Sequence, residues 1–165
     1  MNSTIELYIR NIIFGISDSL VSTVGLLSGI DASGTTKQVV LLTGIIYAFV
    51  EAFSMAVGSF LSEQSTEQYA TKNAATDSKP FVGGAVMFVS FVLASFIPIV
   101  PYILLPVEGA LWLSIGLSIV ALFIVGIVSA RMAKINLFQQ GLKTALLGGA
   151  AIVIGVVVGK FVKVG

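Results

Sequence analysis

Asp18 and Glu51 are carboxylates set deep inside long apolar runs, about Ile9–Ile30 and Val39–Leu61. No Lys or Arg stands at their depth; Arg10 is about two helical turns from Asp18. An acid without a cationic neighbour in an apolar surrounding either keeps a proton or holds a cation. A pair that alternates between those two states is a proton-coupled cation site. Met55, one turn on from Glu51, adds a thioether. Carboxylates suit hard divalent ions and a thioether favours softer transition metals, so a mixed Asp/Glu/Met set points to Fe(II), Mn(II) or Co(II) before Ca(II). Histidine and cysteine are both absent. Their absence argues against tight zinc or copper binding, disulfides and thiol chemistry.

The elements that carry these residues must cross a membrane. Hydrophobic residues make up 56% of the 165 positions and charged residues only 10%, against roughly 25% charged in a typical soluble domain. Mean hydropathy is +1.03. A soluble fold of this size cannot hide so much apolar surface. A net charge of +1 with no basic stripe argues against nucleic acid as a partner. Five stretches reach the length a bilayer demands: about 9–30, 39–61, 81–105, 110–132 and 142–162. They predict an all-α integral membrane protein, with residues 1–165 as a single transmembrane domain in contact with lipid throughout. The runs are too long and continuous for a β-barrel. Met1–Tyr8 carries Glu6 and no basic segment, so the first run reads as a retained span and not a signal peptide.

Arg10, Lys72, Lys79, Arg131, Lys134 and Lys143 fall on one side of such a bundle, and Lys37, Lys160 and Lys163 on the other. Six against three predicts the N-terminus inside and the C-terminus outside. The longest polar link, 62–80, lies inside on this reading. Ser62–Ala75 has no Gly or Pro and should prolong the second helix as a short cytosolic extension, with Asp77–Pro80 as the break before the third span.

Along the first span Asn11, Gly15, Asp18, Ser22, Gly25 and Gly29 recur at helical spacing, leaving an opposite face of Ile, Leu and Val for lipid. Gly44, Tyr47, Glu51, Met55, Gly58 and Ser62 repeat the pattern on the second. Two such stripes can meet in one seam, bringing Asp18 and Glu51 to similar depth with Met55 just below. Packing alone is the bland alternative for the glycines. Glu63 and Glu67, four apart, either collect cations at an inner mouth or are a solvated helix face. Glu108 suits a helix N-terminus. Pro98 and Pro101 should kink or loosen the third helix near its outer end. Met87 and Met132 read as filler.

The stretch Arg10-Asn11-Ile12-Ile13-Phe14-Gly15-Ile16-Ser17-Asp18-Ser19-Leu20 resembles the first-helix motif of the vacuolar iron transporter family, the yeast calcium-cross-complementer and plant iron transporter group. Ala52-Phe53-Ser54-Met55-Ala56-Val57-Gly58-Ser59-Phe60-Leu61-Ser62 resembles its second-helix motif. Ile97–Tyr102 is similar to its third-helix proline pair, and Leu147–Ala151 to a stretch of its fifth helix. The resemblance implies a five-helix homodimer joined through helix 1 that exchanges Fe(II), often also Mn(II), for protons and moves metal out of the cytosol. It implies Asp18 as the transport aspartate and Met55 as the transport methionine. The chain departs from the family pattern at Asn11, where an acid is common, and at Ser19, where Gly is usual. It also carries Glu51 one turn beyond the Tyr47 position, where some members have an acid. The 62–80 link is far shorter than the acidic metal-collecting domain of plant and protist members, leaving Glu63 and Glu67 as its remnant.

These readings converge on a proton-coupled divalent-metal exporter. Asp18, Glu51 and Met55 would hold the ion, and Asn11, Ser22 and Tyr47 would line the pathway. Metal is substrate, and no cofactor is expected. The membrane would be the cell membrane in a prokaryote or the vacuolar membrane in a eukaryote. The rivals are a non-transporting membrane scaffold and a passive cation channel. An enzyme is disfavoured because no nucleophile–base pair or metal-ligating His motif is present.

Overall fold

The computed structural model describes residues 3–72 and 78–162. Asn73–Asp77 and Lys163, which entered the charge and break arguments above, lie outside the described residues, as does the side chain of Glu108. The described chain is a bundle of α1 (Ser3–Ala32), α2 (Lys37–Thr71), α3 (Ser78–Leu104), α4 (Val107–Ala133) and α5 (Leu137–Phe161). All five helices are long and apolar enough to cross a membrane, and the described residues contain no strand. The protein is therefore a multi-pass integral membrane protein. Lipid forces this outcome, because a backbone without water must bond to itself within each span.

The helices outrun the hydropathy boundaries. α2 has 35 residues, about 52 Å of helix against a hydrocarbon core of roughly 30 Å. It runs on past the 39–61 hydropathy span to Thr71 and stops at Lys72 in the left-handed conformation (φ 54°), with the Lys72 N–H bonded to Gln68 O. α4 ends the same way at Lys134 (φ 56°). In both cases a cation at the helix C-terminus suits the dipole. α3 opens with Pro80 in its first turn, where a missing N–H costs nothing. It then runs on through Pro98 and Pro101, both buried. Ser114 of α4 donates to the Pro98 carbonyl at 2.7 Å and ties the two helices at that point.

α1 is the axis of the bundle. Half of its most apolar stretch is buried, against 22% for α2, α4 and α5, and it packs on all four other helices. Its Leu20, Val24 and Leu27 are fully buried. The expectation that this aliphatic face meets lipid is thus corrected: hydropathy does not distinguish lipid from protein interior, and here other helices cover the face.

The small-residue stripe of α1 does not meet α2 in a single seam either. Gly25 and Gly29 lie against α5, where a Cβ on Gly29 would stand 2.7 Å from the Gly155 carbonyl oxygen. A Cβ on Gly155 or Gly159 would overlap the carbonyls of Gly25 and Gly29. Gly15 instead lies against Met87 of α3, and Asn11 bridges α2 and α3. The stripe is shared among three partners because α1 is surrounded. Ser19, the departure from the family's glycine, donates to Phe91 O of α3 at 2.8 Å. On α2, the packed face is Val40, Gly44, Ala48 and Ala52. The polar stripe beside it is left half-exposed.

Candidate functional site

Asp18 and Ser22 of α1 and Tyr47 and Glu51 of α2 come together near mid-helix. Asp18 lies within the field of Glu51, and the Tyr47 phenol faces the Ser22 hydroxyl within the fields of both acids. All four are half-buried. Ser22 Oγ donates to the Asp18 backbone carbonyl at 2.6 Å, one turn back along its own helix. That bond leaves the Asp18 carboxylate free of its neighbour's hydroxyl. Helical spacing makes this meeting possible, since Asp18 and Ser22 share one face of α1, and Tyr47 and Glu51 one face of α2. Among the described residues the only ion pair is Arg10–Glu63, about 12 Å along α1 from Asp18. Among the described residues no cationic side chain pairs with either acid, and no group of three or more acids could hold a metal. One subunit therefore brings two carboxylates and a phenol to this depth.

Beyond Glu51, toward the α2 extension, the polar stripe opens into a cleft of about 530 Å³ between α1, α2 and α3. Met55, Ser54, Ser59 and Glu63 of α2 line it, with Asn11 of α1 and Met87 of α3. Asn11 is buried, and its amide donates to Ser59 Oγ at 2.9 Å and to Gly83 O at 3.1 Å. It thus spends its donors on joining three helices while lining the cleft. Met87 was read as filler from sequence; a methionine alone gives no signal, and only the fold places it beside Met55. Glu63 pairs with Arg10 at the mouth, with Glu6 alongside. Of the two acids expected at an inner mouth, Glu63 thus has a cationic partner in this structure. Because the guanidinium is 65% exposed, the pair contributes only about 0–1 kcal/mol. Glu67 lies half-buried one turn further along α2.

The third acid of α1, after Glu6 and Asp18, belongs to no sequence motif. Asp31, in the last turn, accepts a hydrogen bond from the buried Tyr102 hydroxyl at 3.3 Å. Nearby, Lys37 Nζ donates to Leu105 O at 2.7 Å, so a cation caps the C-terminal end of α3. The signal available was an acid at a helix C-terminus, which the dipole disfavours unless a donor answers it. The answering donor is 71 residues away.

A model of the VIT family matches residues 9–79 and 67–160 of the chain. The two matches overlap over 67–79, from the last turn of α2 to the start of α3. An uncharacterized protein of Methanocaldococcus jannaschii is 24% identical over 153 residues, covering 81% of this chain and 79% of that protein. Vacuolar iron transporter 1 of Arabidopsis thaliana is 20% identical over 203 aligned positions, covering 87% of this chain and 81% of the relative. Vacuolar iron transporter 1 of Eucalyptus grandis is 23% identical, covering 87% and 82%. The plant alignments are longer than this chain, so those relatives carry extra residues within the aligned stretch.

Proposed function

The chain belongs to the VIT family, and on that premise we propose that it is a proton-coupled exporter of divalent metal, moving Fe(II) and secondarily Mn(II) out of the cytosol as a homodimer. The observation that carries this reading is the meeting of Asp18 and Glu51 inside the membrane without a cation to neutralise either. Ligation requires deprotonated carboxylates, so metal binding drives protons off and acid on the far side drives metal off. Asp18 and Glu51 are the exchanging groups, with Tyr47 and Ser22 as polar lining. Met55 in the adjoining cleft supplies a neutral thioether, which biases the site toward transition metals. Iron as cargo is supported by the names of the plant relatives.

Two observations favour a dimer. The acids are half-exposed on a face that, in a lone subunit, would meet lipid at roughly 3 kcal/mol each. One subunit also lacks a third carboxylate at that depth, whereas a second copy would double the set and shield it. The excess of Lys and Arg on one side supports a cytosolic location for the cleft, the Arg10–Glu63 mouth and Glu67.

Reconstituted vesicles test this directly. Fe(II) movement should follow an imposed pH gradient, protons should appear as metal binds, and Asp18→Asn should stop both while the protein stays folded. Unchanged Fe(II) uptake by that variant refutes the assignment. Flux indifferent to the gradient identifies a passive channel, and unfolding of the Asp18→Asn, Glu51→Gln double variant identifies a scaffold.

A further inference from the structure

Met87 sits on α3, outside both family motifs that carry the proposed cargo ligands, and apolar filler is its ordinary reading. Its surroundings argue otherwise. The residue is 3% exposed, yet it lines the same cleft as Met55, Asn11, Ser54 and Ser59. Its sulfur packs against α1 at Gly15, 3.1 Å from where a Cβ would stand. A Cβ at Gly15 would crowd the sulfur together with the Met87 carbonyl oxygen and Ser90 Cβ, both at 3.3 Å, so the glycine lets α3 pack closely on α1 beside the cleft. Gly15 is one turn before Asp18 on the same helix. The sulfur is thus set between the mouth, where Arg10 and Glu63 pair, and the carboxylates at mid-depth.

We propose that Met87 is a second thioether ligand for the metal in transit, acting with Met55 as a neutral stage between the mouth and Asp18. This rests on the transport reading above and names what sets its selectivity. Thioethers carry no charge and take up no proton at any working pH. They hold a soft or borderline metal without trapping it and give little to Mg(II) or Ca(II), whose preference is for oxygen. A stage of this kind strips some water from a transition metal before the carboxylates take it, helps Mn(II) less than Fe(II), and gives Mg(II) and Ca(II) almost no hold. The polar oxygens of Ser54 and Ser59 complete a weak, mixed environment.

Met87→Leu tests the proposal, since Leu keeps nearly the same volume and apolar character and lacks only the sulfur. Purified protein is titrated with Cd(II) as the soft probe and Mn(II) as the hard one, and both are followed in vesicle uptake. The expected result is a several-fold loss of Cd(II) affinity with Mn(II) affinity unchanged, and loss of part of the Cd–sulfur signal in X-ray absorption. Met132→Leu, at the exposed end of α4, serves as the control and should change nothing. Equal weakening of both metals means a packing defect and overturns the ligand role, as does wild-type behaviour toward both. If Asp18→Asn stops uptake of both metals while Met87→Leu matches wild type, the transporter reading stands and this inference falls. If the wild-type protein moves neither metal, the transporter reading falls, and the Cd(II) titration still decides whether Met87 is a ligand.

Discussion

From Thr23 to Ala32, α1 lies with its glycines on the backbone of α5, and its one acid there, Asp31, is answered by the Tyr102 hydroxyl. From Asn11 to Ser22 the same helix borders an open cleft at Asn11 and Phe14 and carries Asp18 half-exposed with no ion-pair partner among the described residues. Both halves have small residues and one carboxylate, so composition alone makes them look alike. What separates them is whether each polar group has been given a partner. A satisfied acid at a helix end is joinery, whereas an unsatisfied one at mid-depth costs stability, which selection for structure alone would remove.

Substitutions can break or sharpen this contrast. The largest effect should come from Asp18→Asn, which abolishes metal-driven proton release while leaving thermal stability equal or higher, because it removes a desolvated charge; a melting curve beside the proton assay checks both. Next, Gly159→Val on the closed half should cost about 1–3 kcal/mol or more through overpacking, read as a lower melting temperature in detergent. There transport should fall only as far as folded protein is lost. Tyr102→Phe should cost about 1 kcal/mol by stranding Asp31, with metal uptake per folded protein unchanged. Strong loss of uptake in that variant would erase the distinction between the halves. The smallest effect is expected from Arg10→Gln. It should move stability by no more than about 1 kcal/mol, yet lower the metal concentration needed for half-maximal uptake, because Glu63 is released to meet incoming cations.

The five spans were legible because lipid imposes one requirement on every residue of a crossing helix, and a sum over 20 residues reports it well. The convergence of Asp18, Ser22, Tyr47 and Glu51 was legible too, since each pair repeats at the period of one helix face. The place of α1 at the centre was not, because Leu20, Val24 and Leu27 are as apolar toward neighbours as they would be toward lipid. Nor were the pairings Arg10–Glu63 and Tyr102–Asp31, or the approach of Met87 to Gly15. Those depend on which helices become neighbours across 53 to 72 residues of chain, and no local period records that.

The contact of Gly25 and Gly29 with Gly155 and Gly159 is made of main chain alone. It holds no side chain that gains or loses a proton. The bundle is therefore clasped at this end of α1 by close fit of backbone on backbone, apart from the acids half a helix away.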